Sequence, residues 1–191
     1  MEIQVREVLG SGPEDDPVWT LIDELGQSDW VRFTAGFHLS SHLLAAYSPS
    51  TLPMGFCRYV VQPVGPDTGC PPVTVQGQAV REAKILAFGV HERWRRRGVG
   101  TALQRAVIAA AGAKGCHQVR SHSSGENAGN HQLKLRLGFA VHPIVRDDDD
   151  RGCYFVLPLL THRPAPTRTG PPPTSTGRQT DRPAAGDFDD G

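Results

Sequence analysis

The chain has 191 residues, enough for one domain with its own core and short for two. No apolar run approaches the ~18 to 20 residues that a spanning helix needs, so a membrane protein is not expected. Twenty basic residues balance 20 acidic ones, and a net charge of zero argues at first against a dedicated binder of nucleic acid or of anionic membranes.

Residues 2–8 alternate as a strand does. Asp15, Asp16 and Pro17 then open a helix whose apolar face is Trp19, Leu21, Ile22 and Leu25. Two strands are expected over residues 43–47 and 54–62, followed by a loose hairpin loop over the proline- and glycine-rich residues 63–77. Residues 82–90 read as a half-buried strand, with Gly89 marking a bulge or a close backbone approach. Val99, Ala102, Leu103, Ala106, Val107 and Ala110 fall on one helical face, and Gly112 and Gly115 close that helix. A short strand around 117–123, a helix over 128–137 capped by Gly138, and a closing hairpin of 139–145 with 153–159 complete a mixed α/β domain.

Composition changes after residue 160. The segment 161–191 holds six prolines, four glycines and one large apolar residue, Phe188, too little to offset the entropy of ordering it. The expected organisation is a folded domain over residues 1–160 and a disordered tail over 161–191. Residues 1–5 lack the basic, apolar and small-residue pattern of a secretory signal, so a cytoplasmic location is expected. Cys57, Cys70, Cys116 and Cys153 are widely spaced and form no CxxC, which suggests reduced thiols and no zinc site. His117, His122 and His131 match no tight ligand spacing; they read as structural or exposed, and no metal is expected.

The chemistry concentrates in the turn Arg95-Arg96-Arg97-Gly98-Val99-Gly100 between a strand and a helix. Helix N-termini carry unpaired amides and partial positive charge, and glycines let a phosphate approach them. A Walker A loop fails for want of Gly-Lys-Ser/Thr. A dinucleotide fingerprint fails because Leu103 stands at its third glycine and no acid lies about 20 residues beyond.

Arg95-x-x-Gly98-x-Gly100 does match the Arg/Gln-x-x-Gly-x-Gly/Ala signature of the GNAT superfamily of acyl-CoA-dependent N-acetyltransferases. Trp94 precedes it, and Asn127 and Leu137-Gly138-Phe139 follow in the family's order, so residues 82–143 resemble that family. The resemblance implies a mostly antiparallel central sheet flanked by helices, with acetyl-CoA as acyl donor and no metal. It implies that the backbone of Phe88, Gly89 and Val90 pairs with the pantetheine arm, in the manner of an added strand. Backbone amides from Arg96 through Arg97, Gly98, Val99 and Gly100 to Thr101 would hold the pyrophosphate. Side chains of Arg93, Arg95, Arg96 and Arg97 are the candidates for reaching phosphates. Asn127 would orient the pantetheine arm or a water, and an N–H near a bulge at Gly89 would stabilise the oxyanion.

In this family a tyrosine four residues before the Gly-Phe glycine often protonates the departing thiolate; here that position is Lys134, and the alanine often found earlier in the same helix is Asn130. A neighbouring cation can stabilise the thiolate or, with a depressed pKa, donate that proton, so Lys134 is a candidate replacement, a phosphate contact or a solvated residue being the alternatives. Glu82 is the first candidate base, with His91 and Glu92 behind it, although a solvent-facing strand residue is the commoner reading of such a glutamate. Residues 121–124 read as strand-end polarity lining a cleft, and Asp147 to Asp150 as a solvated turn or a gate for cationic amines.

The expected function is acetyl transfer from acetyl-CoA to a primary amine in a ternary complex. The alternatives are a catalytically weak acyl-CoA sensor or scaffold, suggested by Lys134, and a nucleic-acid-associated protein using the arginine turn. No nucleic acid and no membrane are the expected partners, while a homodimer is compatible with this reading. The zero net charge hides a segregation: residues 1–30 carry one base and eight acids, and residues 81–105 carry seven bases and two acids. The positive charge sits at the turn, suited to one small polyanion.

Overall fold

A computed structural model describes residues 2–8, 16–35, 40–143 and 152–159. Strand β1 (Gln4–Val8) leads to helix α1 (Val18–Glu24), where Asp16 Oδ1 accepts a hydrogen bond from the amide of Val18 at 2.9 Å. Helix α2 (Ser28–Ala35) follows. It has little apolar periodicity to mark it in the sequence, because only Val31 and Thr34, three residues apart, are buried among its described side chains. Its stability is tertiary: Thr34 Oγ1 accepts from Arg58 Nε at 3.1 Å, and Trp30 Nε1 donates to the carbonyl of Leu86 at 2.9 Å.

Strands β2 (Ser41–Tyr47) and β3 (Pro53–Pro63) pair antiparallel, and β3 continues antiparallel onto β6 (Arg81–Val90). Between them the proline-rich stretch holds a short 3-10 turn and a small two-stranded hairpin, β4 (Thr74–Val75) with β5 (Gln78–Ala79). Helix α3 (Val99–Ala113) carries the chain from β6 to β7 (Gln118–Ser124), which pairs parallel to β6. Helix α4 (Ala128–Arg136) then precedes β8 (Ala140–Pro143) and β9 (Gly152–Pro158). These two form the expected hairpin, but β9 inserts between β7 and β8, so the sheet order is β1-β2-β3-β6-β7-β9-β8. The fold is the mixed α/β architecture expected, with β6/β7 the parallel pair among the described strands. The tail and residues 147–150 lie outside the described residues.

Two cores flank the sheet. Leu44, Cys57, Tyr59, Ile85, Leu103 and Val107 pack beneath α3, while Trp19, Ile22, Val31, Phe56 and Ala87 pack beneath α1 and α2. Strand β6 changes sides between them. Tyr59 pairs with Ile85 and the next residue, Arg58, pairs with Ala87, so Leu86 is an extra residue that flips the phase of the strand. Ala83 and Ile85 face α3 before the bulge, and Ala87 faces the opposite core after it. The bulge therefore sits three residues before the position expected, Gly89. Gly89 is instead a close approach: a Cβ there would lie 2.8 Å from Leu25 Cδ1 and 2.9 Å from Phe56 Cε1.

Candidate functional site

Strands β6 and β7 run as partners from Glu82/Gln118 to Ile85/Ser121 and then separate. The fork lies beside the Leu86 bulge, and a cavity opens on each side of it. The larger, about 830 Å³, is walled by Phe88, Gly89 and Val90 of β6, Gly98, Gly100 and Thr101 of the turn and α3, and Asn127 and Asn130 of α4. This is where the glycine motif was expected to hold a phosphorylated ligand.

The turn is built for anions. Arg96 has φ of 61° and Gly98 φ of 86°, so two backbone units close to the start of α3 adopt left-handed geometry. Such a turn points amides into a concavity, and the helix N-terminus adds its partial charge. Left-handed geometry at a non-glycine residue such as Arg96 is costly, and such strain is concentrated where it serves a site. Gly100 lets β6 and α4 close over the helix, since a Cβ would come within 3.1 Å of both Phe88 Cζ and Leu133 Cδ2.

The arginines divide. Arg95 and Arg96 line the cavity, the former donating from Nε to the carbonyl of Val90 at 3.2 Å. Arg93 and Arg97 lie over the ring of Trp94, itself a wall residue, at 5.2 and 5.6 Å. Val99 is 1% exposed, so its side chain belongs to the core and only its backbone is available to a ligand. Arg136 of α4, together with Leu25 and Gln27 between α1 and α2, completes the wall. No motif marks these three, because they reach the cavity only through tertiary packing. Trp94 Nε1 and Asn130 Oδ1 have no hydrogen-bond partner among the described residues, leaving a donor and an acceptor in the residues of this wall. Asn127 is the N-cap of α4, accepting from the amide of Asn130 at 3.2 Å, and lines the cavity as well.

Lys134 is buried at the fork. Its ammonium donates to Ser121 Oγ at 2.8 Å and lies 4.9 Å from the centre of the Phe155 ring. It is not on the cavity wall, although Asn130, one turn earlier, is. Burial lowers its pKa to about 8, with Cys57 acting in the opposite sense. The Cys57 thiol is itself pushed up to about 12 by burial.

Glu82 does not occupy the place expected of a base. It is wholly buried, accepting from Arg120 Nη2 at 2.6 Å, from Arg120 Nε at 2.9 Å, from Gln62 at 3.0 Å and from Gln118 at 2.9 Å. Asp67 joins the network, 2.5 Å from Arg120 and 2.6 Å from Lys84. Burial works against the charge on Asp67, but hydrogen bonds from Lys84 and Arg120 hold its pKa below the usual value. Glu82 is thus the counter-ion of Arg120, with its oxygens engaged. Glu82→Gln is expected to destabilise the fold by on the order of 3 kcal/mol in chemical denaturation and to leave the pH profile of turnover in place. A shift of that profile would restore Glu82 as the base. His91 and Glu92 are likewise not on the wall of either cavity; His91 Nδ1 accepts from the amide of Arg93 at 3.2 Å, at the start of the arginine turn.

The second cavity, about 370 Å³, lies on the α2 side of the fork, walled by Trp30, Phe33, Lys84, Leu86, His122 and Tyr154 among others. His122 is one residue past the last β6/β7 pair, its ring 5.5 Å from that of Tyr154 in a T-shaped contact. Gly152 makes room for it, since a Cβ there would collide with the imidazole. Histidine spacing alone had set His122 aside; strand pairing is the signal that brings it to the site. Among the described residues there is no cluster of metal-ligating side chains and no helix long and apolar enough to cross a membrane.

Residues 12–139 match the profile of the Acetyltransferase (GNAT) family. Solved structures share the fold. The Arabidopsis thaliana NAA60 complex with acetyl-CoA has a TM-score of 0.62 at 17% identity, over 83% of this chain and 99% of that one. The same protein with a bisubstrate analogue gives 0.61 at 18%, over 84% and 99%. The Escherichia coli ribosomal-protein-S18-alanine N-acetyltransferase gives 0.54 at 16%, over 82% and 94%. No curated protein matches the sequence.

Proposed function

The chain belongs to the GNAT acetyltransferase family, and on that footing we propose that it transfers the acetyl group of acetyl-CoA to a primary amine by direct attack in a ternary complex. The observation that carries this reading is a pair of cavities walled by successive stretches of β6 beside the strand fork, one lined by the arginine-glycine turn and the other by aromatic rings and an imidazole. Amides at the start of α3 with Arg95, Arg96 and Arg136 receive the phosphates. The exposed edge of Phe88, Gly89 and Val90 receives the pantetheine amides, and the thioester reaches the fork.

The amine enters from the α2 side. Its lone pair attacks the thioester carbonyl, a C–N bond forms, and collapse of the tetrahedral adduct breaks the C–S bond. The proton shed by the attacking nitrogen passes to His122, an imidazole on the wall of the second cavity. Lys134 supplies a proton to the departing sulfur through the Ser121 hydroxyl, a transfer between groups of similar pKa, since ordinary thiols titrate near 8.5. The products are an N-acetyl amide and CoA thiol. Holding both substrates at the fork supplies much of the acceleration.

Thermal denaturation with acetyl-CoA tests the donor half. At 100 times its dissociation constant the ligand stabilises the fold by about 2.7 kcal/mol, and the absence of any shift at saturation overturns the reading.

A further inference from the structure

Resting on the acetyl-transfer reading above, we propose that the acceptor is a small arylalkyl monoamine, its ring against Trp30 and Phe33 and its nitrogen directed to His122 at the fork. Trp30 and Phe33 are stacked, with ring centres 6.1 Å apart and planes 25° from parallel, yet they remain 47% and 60% exposed. Two large aromatics in that state on a short helix bury little of their own surface, so stability does not account for them. The indole is also fixed in place, its N–H bonded to the carbonyl of the bulge residue Leu86. A rigid aromatic ledge is thereby attached to the strand at the fork itself. Tyr154 forms a further aromatic part of the wall, held by its contacts with His122 and with Arg120, whose guanidinium carbon is 5.0 Å from the ring centre.

Charge narrows the class. A polyamine or aminoglycoside needs several carboxylates to receive its ammonium groups; among the described residues none is on the wall of this cavity, and Asp67, beside the wall residue Lys84, is engaged by it and by Arg120. A single ammonium is accommodated differently: aromatic faces attract it before it loses its proton, and the ring attached to it stacks on the ledge. The volume, about 370 Å³, is at the small end of ligand cavities, suited to one ring on a short chain.

Turnover of acetyl-CoA is to be compared for phenethylamine, tryptamine, n-butylamine, spermidine, an aminoglycoside and a short peptide with a free amino terminus. For the aryl amines kcat/KM is expected to exceed that for n-butylamine and spermidine at least tenfold. In Phe33→Ala, a truncation at an exposed position, the aryl-to-butyl ratio should fall about tenfold, mainly through KM. Direct binding of phenethylamine in the presence of CoA, followed by ligand-observed NMR, gives a readout independent of chemistry and should weaken in the same variant. Preference for spermidine, the aminoglycoside or the peptide overturns the proposal and leaves acetyl transfer standing, as does an aryl-to-butyl ratio unchanged by Phe33→Ala. Failure of every amine together with absence of phenethylamine binding overturns it too. Binding of phenethylamine that Phe33→Ala weakens, without turnover of any amine, supports the ring site and removes the transfer reading alone.

Discussion

Gly98→Glu is expected to weaken acetyl-CoA binding at least 100-fold while leaving a folded protein. Gly98 has φ of +86° and ψ of −5°, a conformation costing an L-residue roughly 1–2 kcal/mol. That strain is tolerable to the fold because the space is open: a Cβ would meet only Ile3 Cδ1, at 3.8 Å. The function is less tolerant. Gly98 immediately precedes α3 and lines the donor cavity, so a carboxylate there stands in the path of the phosphates and repels them. Gly98→Ala carries the same backbone strain without the charge or the bulk. Calorimetric titration should therefore show Ala retaining most of the affinity and Glu losing it. Equal losses would assign the effect to strain, and full affinity in Gly98→Glu would mean that the phosphates bind elsewhere.

Lys134→Met is expected to move stability and turnover in opposite directions. Burial lowers the lysine pKa from 10.5 to about 8. Between those values the unfolded chain binds more protons than the folded one, so stability rises with pH across that window and the whole penalty is present below pH 8. A shift of this size corresponds to about 3 kcal/mol at 1.36 kcal/mol per pKa unit. Methionine fills similar volume with no charge to desolvate. Urea denaturation at pH 7 should find the variant more stable by up to that amount, and its stability should no longer climb between pH 8 and 10.5. Turnover should fall on the order of 100-fold with loss of the acid. In the wild type kcat/KM is expected to turn downward near pH 8 as Lys134 loses its proton, and that descending limb should be missing from the variant. A variant with normal turnover and an unaltered profile would make Lys134 a purely structural residue.

What was legible in the sequence was local. The arginine-glycine turn and the helix behind it involve neighbours in the chain, so their local structure could be anticipated from the order of residues. The phase change in β6 could not. From Ile85 to Val90 the strand reads Ile-Leu-Ala-Phe-Gly-Val, a nearly continuous apolar run in which an extra residue leaves no mark on the alternation. The glycine did mark the close approach at Gly89, while the bulge at Leu86 had no residue of its own to announce it. Glu82 was misread for a related reason: a strand glutamate looks solvent-facing until its partner Arg120, 38 residues away, is brought beside it. The second cavity was least visible, because Trp30, Leu86, His122 and Tyr154 come from α2, β6, β7 and β9 and meet only in three dimensions. Helix α2, with two charged residues and two exposed aromatics among its eight, buries too narrow a stripe to announce itself.

The central claim is that a thioester held by the arginine turn is cleaved by an amine arriving from the other side of the fork. The most direct measurement follows free thiol and acetylated amine together in one reaction, with acetyl-CoA and phenethylamine as substrates. Equimolar appearance of both products, saturating in each substrate and lost in Gly98→Glu, is the predicted result. Thiol release that does not depend on the amine, or no release with any amine of the panel from a protein that binds acetyl-CoA, would contradict it.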